Sequence, residues 1–220
     1  IDPAGKVIDM EWVSGLRSPT GIAVLDDRLY VVERTGVAII DLEKGEIVDR
    51  RVIESAGGFL NDLAVKNAGT VFVSDSALGA INRATADASQ PWLQNATVAG
   101  VNGLVVSEDR LWATTMGSES LVSINPGSGE IESIVDLRPF GGDGITADGA
   151  GGFLVSDFNG LLLRVTPSGD RDVLVDTRDV GISLTDFGFS PEHSIVVIPT
   201  LRGNSLIAYD IGEALDAITR

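Results

Sequence analysis

The 220-residue sequence contains no cysteine. That excludes a disulfide framework, a thiolate metal centre and a cysteine nucleophile, and it leaves the redox compartment open. Histidine occurs once, as His193, in a stretch that reads as a turn, which leaves little basis for a Ser-His-Asp triad, a Cys-His pair or a His-rich zinc site. Aromatic residues make up only 5%, so any core must be mostly aliphatic. Basic residues are scarce, 16 against 32 acidic ones, for a formal net charge of −16. The acids are spread along the whole chain, which argues against nucleic acid or an anionic membrane as a partner and suits a bound cation or plain solubility. No apolar run approaches the ~18 residues of a membrane-spanning helix, and no basic-then-apolar signal opens the chain. A periplasmic or secreted setting and a cytoplasmic one are both compatible with this. No Walker loop or dinucleotide fingerprint occurs. The expected partner is a small molecule, met by a monomer.

What the chain does have is a repeat. Pro19-Thr20-Gly21-Ile22-Ala23-Val24 is echoed by Leu60-Asn61-Asp62-Leu63-Ala64-Val65, Val101-Asn102-Gly103-Leu104-Val105-Val106, Gly142-Asp143-Gly144-Ile145-Thr146-Ala147 and Leu184-Thr185-Asp186-Phe187-Gly188-Phe189. The anchor positions 20, 61, 102, 143 and 185 are separated by steps of 41, 41, 41 and 42 residues. A period of roughly 40–45 residues with four short strands per unit is the signature of β-propeller blades. The expectation is therefore an all-β propeller of five four-stranded blades in one domain spanning 1–220, with repeats starting near 18, 59, 100, 141 and 183.

Second strands are read at Leu29–Val32, Val71–Val73, Leu111–Thr114, Phe153–Val155 and Ile195–Ile198, with third strands at Val37–Ile40, Ala80–Arg83, Leu121–Ile124, Leu161–Arg164 and Leu206–Tyr209. Outer strands follow at Ile47–Ile53, Trp92–Thr97, Ile131–Leu137 and Asp172–Asp176, but the fifth repeat has none of its own. The segment Lys6–Val13 resembles the other outer strands. Pairing it with Leu206–Tyr209 would complete the last blade and remove exposed sheet edges.

Equivalent positions of the innermost strands ring the central channel, and here they are Thr20, Asn61, Asn102, Asp143 and Thr185, all oxygen-bearing. Such a ring suits a hard divalent cation, Ca2+ ahead of Zn2+ or Mg2+. The competing reading is that these side chains only satisfy turn backbone at strand starts. Strand polarity brings the ends of the second strands to the same mouth, adding Glu33, Asp75, Thr115, Asp157 and Thr200, while Asp62 and Asp186 lie beside ring members. Asp75 and Asp157 also suit hairpin capping.

The phrases Asn61-Asp62, Asn102-Gly103-Leu104 and Asp143-Gly144 are similar to those of the gluconolactonase, senescence marker protein (regucalcin) and luciferin-regenerating-enzyme family. The stretches Leu161–Gly169 and Ser183–Phe189 resemble that family's last two blades. The resemblance implies a propeller, normally six-bladed, that holds one divalent metal in its channel and hydrolyses sugar lactones. By the same resemblance Asn61 and Asn102 match the metal-ligand asparagines, and Asp143 matches the ligand that is also the catalytic acid/base. The family's fourth ligand, a glutamate from the start of the first blade, has no counterpart, and Glu33 is the nearest substitute. Two functions follow as expectations: a metal-dependent hydrolase of small lactones or esters, or a non-catalytic binding module with an acidic, cation-binding channel mouth.

Overall fold

A computed structural model describes residues 2 and 5–219. The chain folds into five antiparallel meanders, each a twisted blade whose innermost strand comes first. Blade 1 comprises β1 (Ile22–Leu25), β2 (Arg28–Glu33), β3 (Gly36–Asp41) and β4 (Glu46–Val52). Blade 2 comprises β5 (Leu60–Asn67), β6 (Thr70–Asp75), β7 (Ala80–Ala84) and β8 (Ser89–Gln94). Blade 3 contains β9 (Val101–Ser107), β10 (Arg110–Thr115), β11 (Ser120–Ile124) and β12 (Ile131–Asp136). Blade 4 contains β13 (Gly142–Ala147), β14 (Phe153–Asp157), β15 (Leu161–Val165) and β16 (Arg171–Asp176). Blade 5 has three strands, β17 (Gly188–Ser190), β18 (Ile195–Pro199) and β19 (Leu206–Asp210), followed by the helix α1 (Gly212–Thr219). The all-β, five-bladed propeller read from the repeats is what the chain forms.

The blades stack face to face, so their central strands are apolar on both faces instead of alternating between core and water. In β6, Val71 and Val73 pack toward blade 1 while Phe72, the residue between them, packs toward blade 3. The same division sends Trp112 of β10 toward blade 4 and Leu111 and Ala113 toward blade 2. Four apolar clusters result, joining blades 1 and 2, 2 and 3, 3 and 4, and 4 and 5. Among the described residues no apolar cluster joins blade 5 back to blade 1.

That joint is where the sequence expectation fails. Residues 6–13 form no strand, and among the described residues β19 keeps a free edge. The segment instead crosses the outer face of blade 1, where Trp12, Val13 and Leu16 surround a cavity of about 380 Å3 with Ile22, Leu29 and Ile40. The following loop is bound to blade 1, because the Arg17 N–H donates to Glu33 (2.8 Å) and Arg50 donates to the Gly15 carbonyl (2.8 Å). This leash holds the apolar residues of the segment against the nearest apolar face, away from β19. The face is only partly covered, since Ile22 is 62% exposed and Val24 60%. The outer strand of blade 2 also differs from expectation, running over Ser89–Gln94 rather than Trp92–Thr97. Asn95 ends it early by accepting the Thr97 N–H (2.9 Å) and starting a short 3-10 turn over Ala96–Val98.

Unfolding in urea should separate the two kinds of face. Leu121→Ala, at a fully buried position, should cost about 2–5 kcal/mol. Val24→Ser should cost less than about 0.5 kcal/mol, as expected of an exposed residue. Similar costs for the two would mean that the outer face of blade 1 is covered in solution.

Candidate functional site

The three blades that carry Asn or Asp in the ring share a backbone irregularity. In β5 the register with β6 shifts between Leu60 and Leu63, in β13 the register with β14 shifts between Gly142 and Ile145, and β9 and β10 slip opposite Ala113 and Thr115. The extra residues are Asn61-Asp62, Asn102-Gly103 and Asp143-Gly144. β1 and β17, which follow Thr20 and Thr185, pair without a shift. A bulge turns side chains out of the plane of the strand pair and is common beside functional sites. Hydroxyls of the second strands occupy the distorted backbone: Ser74 accepts the Asp62 N–H (2.9 Å), Ser156 accepts the Gly144 N–H (2.8 Å), and Thr114 donates to the Asp143 carbonyl (2.7 Å).

Two of the predicted ligands meet. The Asn102 amide donates to the Asp143 carboxylate in a short hydrogen bond across the joint between blades 3 and 4, and both side chains are buried. That is the one hydrogen bond the Asp143 carboxylate makes among the described residues. Asn61 lies on the next blade, its amide donating to Ser76 (3.0 Å), which in turn donates to the Val101 carbonyl (2.7 Å). Thr20 and Thr185 are spent on backbone carbonyls, of Leu60 (3.3 Å) and Pro199 (3.2 Å).

One residue further along each inner strand the chain reads Gly21, Asp62, Gly103, Gly144 and Asp186. Asp62 and Asp186 come from blades 2 and 5, which are not neighbours, yet their carboxyls are close enough to shift each other's titration. Glycine makes the room. A Cβ on Gly21 would lie 2.3 Å from Asp62 Oδ1, and one on Gly144 2.5 Å from Asp186 Oδ1. Asp62 also accepts the Leu104 N–H (2.7 Å).

Burial, and after it repulsion from Asp186, holds the Asp62 carboxyl well above the usual carboxylate range. Burial likewise pushes Asp186 up to about 6, with the hydrogen bond from Asp62 opposing the rise. Asp143 is pushed up to about 7 by burial first and by Asp186 second; Asn102 opposes the shift and Asp157 adds to it.

The other predicted mouth residues are structural in their contacts. Glu33 is buried and accepts from the Arg17 N–H (2.8 Å) and Arg50 Nε (3.1 Å), so it ties the N-terminal loop to blade 1. Asp75 accepts the N–H groups of Phe59 (2.9 Å) and Leu78 (3.0 Å) and the Ser55 hydroxyl. Asp157 caps its own turn through the N–H of Asn159 (2.9 Å). His193 sits in the turn between β17 and β18, beside the Ser190 hydroxyl (3.2 Å), at the end of the blade away from the ring. Among the described residues no group of three or more His, Cys, Asp or Glu side chains is arranged to hold a metal. Any ion here would depend on asparagine oxygens.

No protein-family profile matches the sequence, and no curated protein is similar to it in sequence. Solved structures share the fold. A provisionally assigned gluconolactonase superposes over 88% of this chain and 74% of its own, at TM-score 0.70 and 16% identity. A luciferin-regenerating enzyme matches over 88% and 75%, at TM-score 0.61 and 16% identity. A propeller in a nidogen/laminin complex matches over 93% and 78%, at TM-score 0.72 and 17% identity. At such identities the likeness defines a class of fold, the β-propeller. It carries no activity with it.

The carboxyls give a pH test with a definite sign. Asp143 and Asp186 have raised pKa values in the folded protein, so between about pH 4 and 7 the folded state holds protons that the unfolded chain has released. Their stabilising contribution is complete below about pH 4 and is lost as pH rises through about 6–7. Stability should fall by on the order of 2–5 kcal/mol between pH 4 and pH 8. The loss should be smaller in Asp186→Asn. Asp136 and Asp176, lowered mainly by Arg138 and Arg178, act only below about pH 4 and do not disturb this window. A stability that rises steadily from pH 4 to 8 would contradict the assignment.

Proposed function

We propose that the channel mouth at Asn61, Asn102 and Asp143 holds a divalent cation and hydrolyses small lactones or esters. The observation that carries this reading is the contact between Asn102 and Asp143. It presents a buried carboxylate with a single hydrogen-bond partner among the described residues, beside an amide that offers oxygen when rotated about its terminal bond. With Asn61 on the adjacent blade the donors are all hard oxygens, a set that fits Ca2+ or Mg2+ better than a softer ion. Zn2+ is less well served without histidine or cysteine.

A cation bound there would polarise the carbonyl of a lactone or ester as a Lewis acid. Asp143 takes a proton from water as the water oxygen bonds to the carbonyl carbon. It returns that proton to the ring oxygen as the carbon–oxygen bond of the lactone breaks, releasing a hydroxy acid. Asn102 orients Asp143 for both transfers. Of Asp62 and Asp186, at the next position along the inner strands, the one that is ionised adds negative potential that favours a cation.

One observation favours a second reading, a binding module without turnover. Glu33 is occupied by Arg50 and the Arg17 backbone, so it brings no second carboxylate to the ring. The same fold also serves in a nidogen/laminin complex. Calorimetry with Ca2+, Mg2+ and Zn2+ and a gluconolactone assay distinguish the two. The hydrolase reading predicts cation binding weakened at least tenfold in Asn102→Ala, and lactone turnover abolished both by chelator and by Asp143→Asn. Cation binding without chelator-sensitive turnover selects the binding module. Absence of binding by the unmutated protein rejects both.

A further inference from the structure

Blade 5 carries a second recess whose chemistry is opposite to that of the channel. It lies between residues 181–183, which lead into the blade, and the turn 200–205 that joins β18 to β19, and it encloses about 420 Å3. Both loops stand at the ring mouth, for Thr185 donates to Pro199 at the end of β18 (3.2 Å). In a chain with 32 acidic and 16 basic residues, no carboxylate among the described residues lines this recess. Its walls are Ile182 and Ile207, and its polar groups include Ser183, Thr200, Ser205 and Arg202.

The turn is braced and its donors are free. Thr200 donates to the Ser205 carbonyl (3.0 Å) and accepts the Ser205 N–H (3.2 Å). Gly203 is required there, since a Cβ would fall 2.6 Å from Thr200 Oγ1. Among the described residues the Arg202 guanidinium has neither ion pair nor hydrogen bond. The N–H groups of Leu201, Arg202 and Gly203 and the hydroxyl of Ser183 are likewise without an acceptor. Arg178, in the short 3-10 turn just before residues 181–183, behaves differently, being held by Asp176 (2.6 Å).

We propose that the recess around Arg202 binds the anionic group, carboxylate or phosphate, of a small organic molecule whose carbon chain lies against Ile182 and Ile207. A guanidinium recognises either anion through paired, charge-assisted hydrogen bonds, and unengaged N–H groups of a turn add donors of the same sense. In a protein of such negative charge a recess with an unpaired guanidinium and, among its described residues, no carboxylate gives an anion a local minimum beside a mouth that otherwise repels it. Joined to the reading of the channel mouth as a lactone-hydrolysing site, on which this step rests, it makes the substrate class an acidic lactone or ester. The anionic end would be anchored on blade 5 and the carbonyl turned toward Asp143.

Binding can be tested without turnover. The metal-free protein is titrated at low ionic strength with inorganic phosphate and, separately, with butyrate, and the amide resonances of residues 181–183 and 200–205 are followed by NMR. The proposal predicts saturable shifts there with at least one anion, with affinity lowered about tenfold or more in Arg202→Ala, partly kept in Arg202→Lys and unchanged in Arg178→Ala. The anion bound more tightly identifies the group. If neither anion shifts these resonances, or if Arg202→Ala binds as the unmutated protein does, the proposal is overturned. Because no lactone is present, a failed hydrolase reading leaves this result intact. If hydrolysis is found, Arg202→Ala should raise KM for an anionic lactone about tenfold, leaving kcat and the kinetics of a neutral lactone unchanged.

Discussion

Each inner strand has to serve two environments. In blades 2, 3 and 4 both faces are pressed against neighbouring blades, while the leading end of the inner strand must present polar groups to the channel. A regular strand alternates its side chains between the two faces, so a polar residue at the ring would be driven into one of the apolar joints. The bulges in β5, β9 and β13 resolve this conflict. Two residues oppose what would otherwise be one, the polar pair swings toward the axis, and apolar alternation resumes at Leu63, Leu104 and Ile145. The hydroxyls of Ser74, Thr114 and Ser156 take up the backbone groups that the ladder loses. Without these partners a buried peptide group would go unsatisfied, at a cost of about 1–3 kcal/mol each.

The bulges also determine the electrostatics. They bring Asn102 against Asp143 and lift Asp62 to the axis, where Asp186 reaches it from a blade that is not its neighbour. Carboxyls so close in a protein interior cannot all ionise, and protons are retained that carboxylates in water would lose. A bound cation would relieve that strain, as would protonation. The axis thus favours positive charge, and the Arg202 recess on the same side has a guanidinium and no carboxylate among its described lining residues. Opposite chemistries side by side are what a molecule with both an electrophilic carbonyl and an anionic tail requires.

The fold could be read from the sequence because the repeat is a physical unit. Its 41-residue step sets the blade, and strands apolar on both faces appear as runs such as Leu161–Val165. Asn61, Asn102 and Asp143 could be picked out for the same reason, by phase. The pairing of Asp62 with Asp186 was open to the same test, because the position after each ring residue is Gly or Asp, small where a carboxylate must enter and acidic where one is supplied. Glu33 misled, since its place at the end of β2 gives no hint that Arg50 and the Arg17 N–H hold it. Lys6–Val13 misled for a related reason. Its pattern matches an outer strand, but pairing depends on where the loop after it is anchored, and that contact lies beyond any local pattern. The Arg202 recess had no signal in the sequence, as it joins two loops that no motif connects.

The ring geometry is tested most directly by anomalous scattering from a crystal grown with Mn2+, a hard cation that can be located without assumption. A single anomalous peak should stand in the channel, bounded by the side chains of Asn102 and Asp143, with the Asn102 amide turned to offer its oxygen and Asn61 drawn away from Ser76. A crystal in which Asn102 still donates to Asp143 with no ion between them, or in which the ion lies only elsewhere on the surface, would contradict the account.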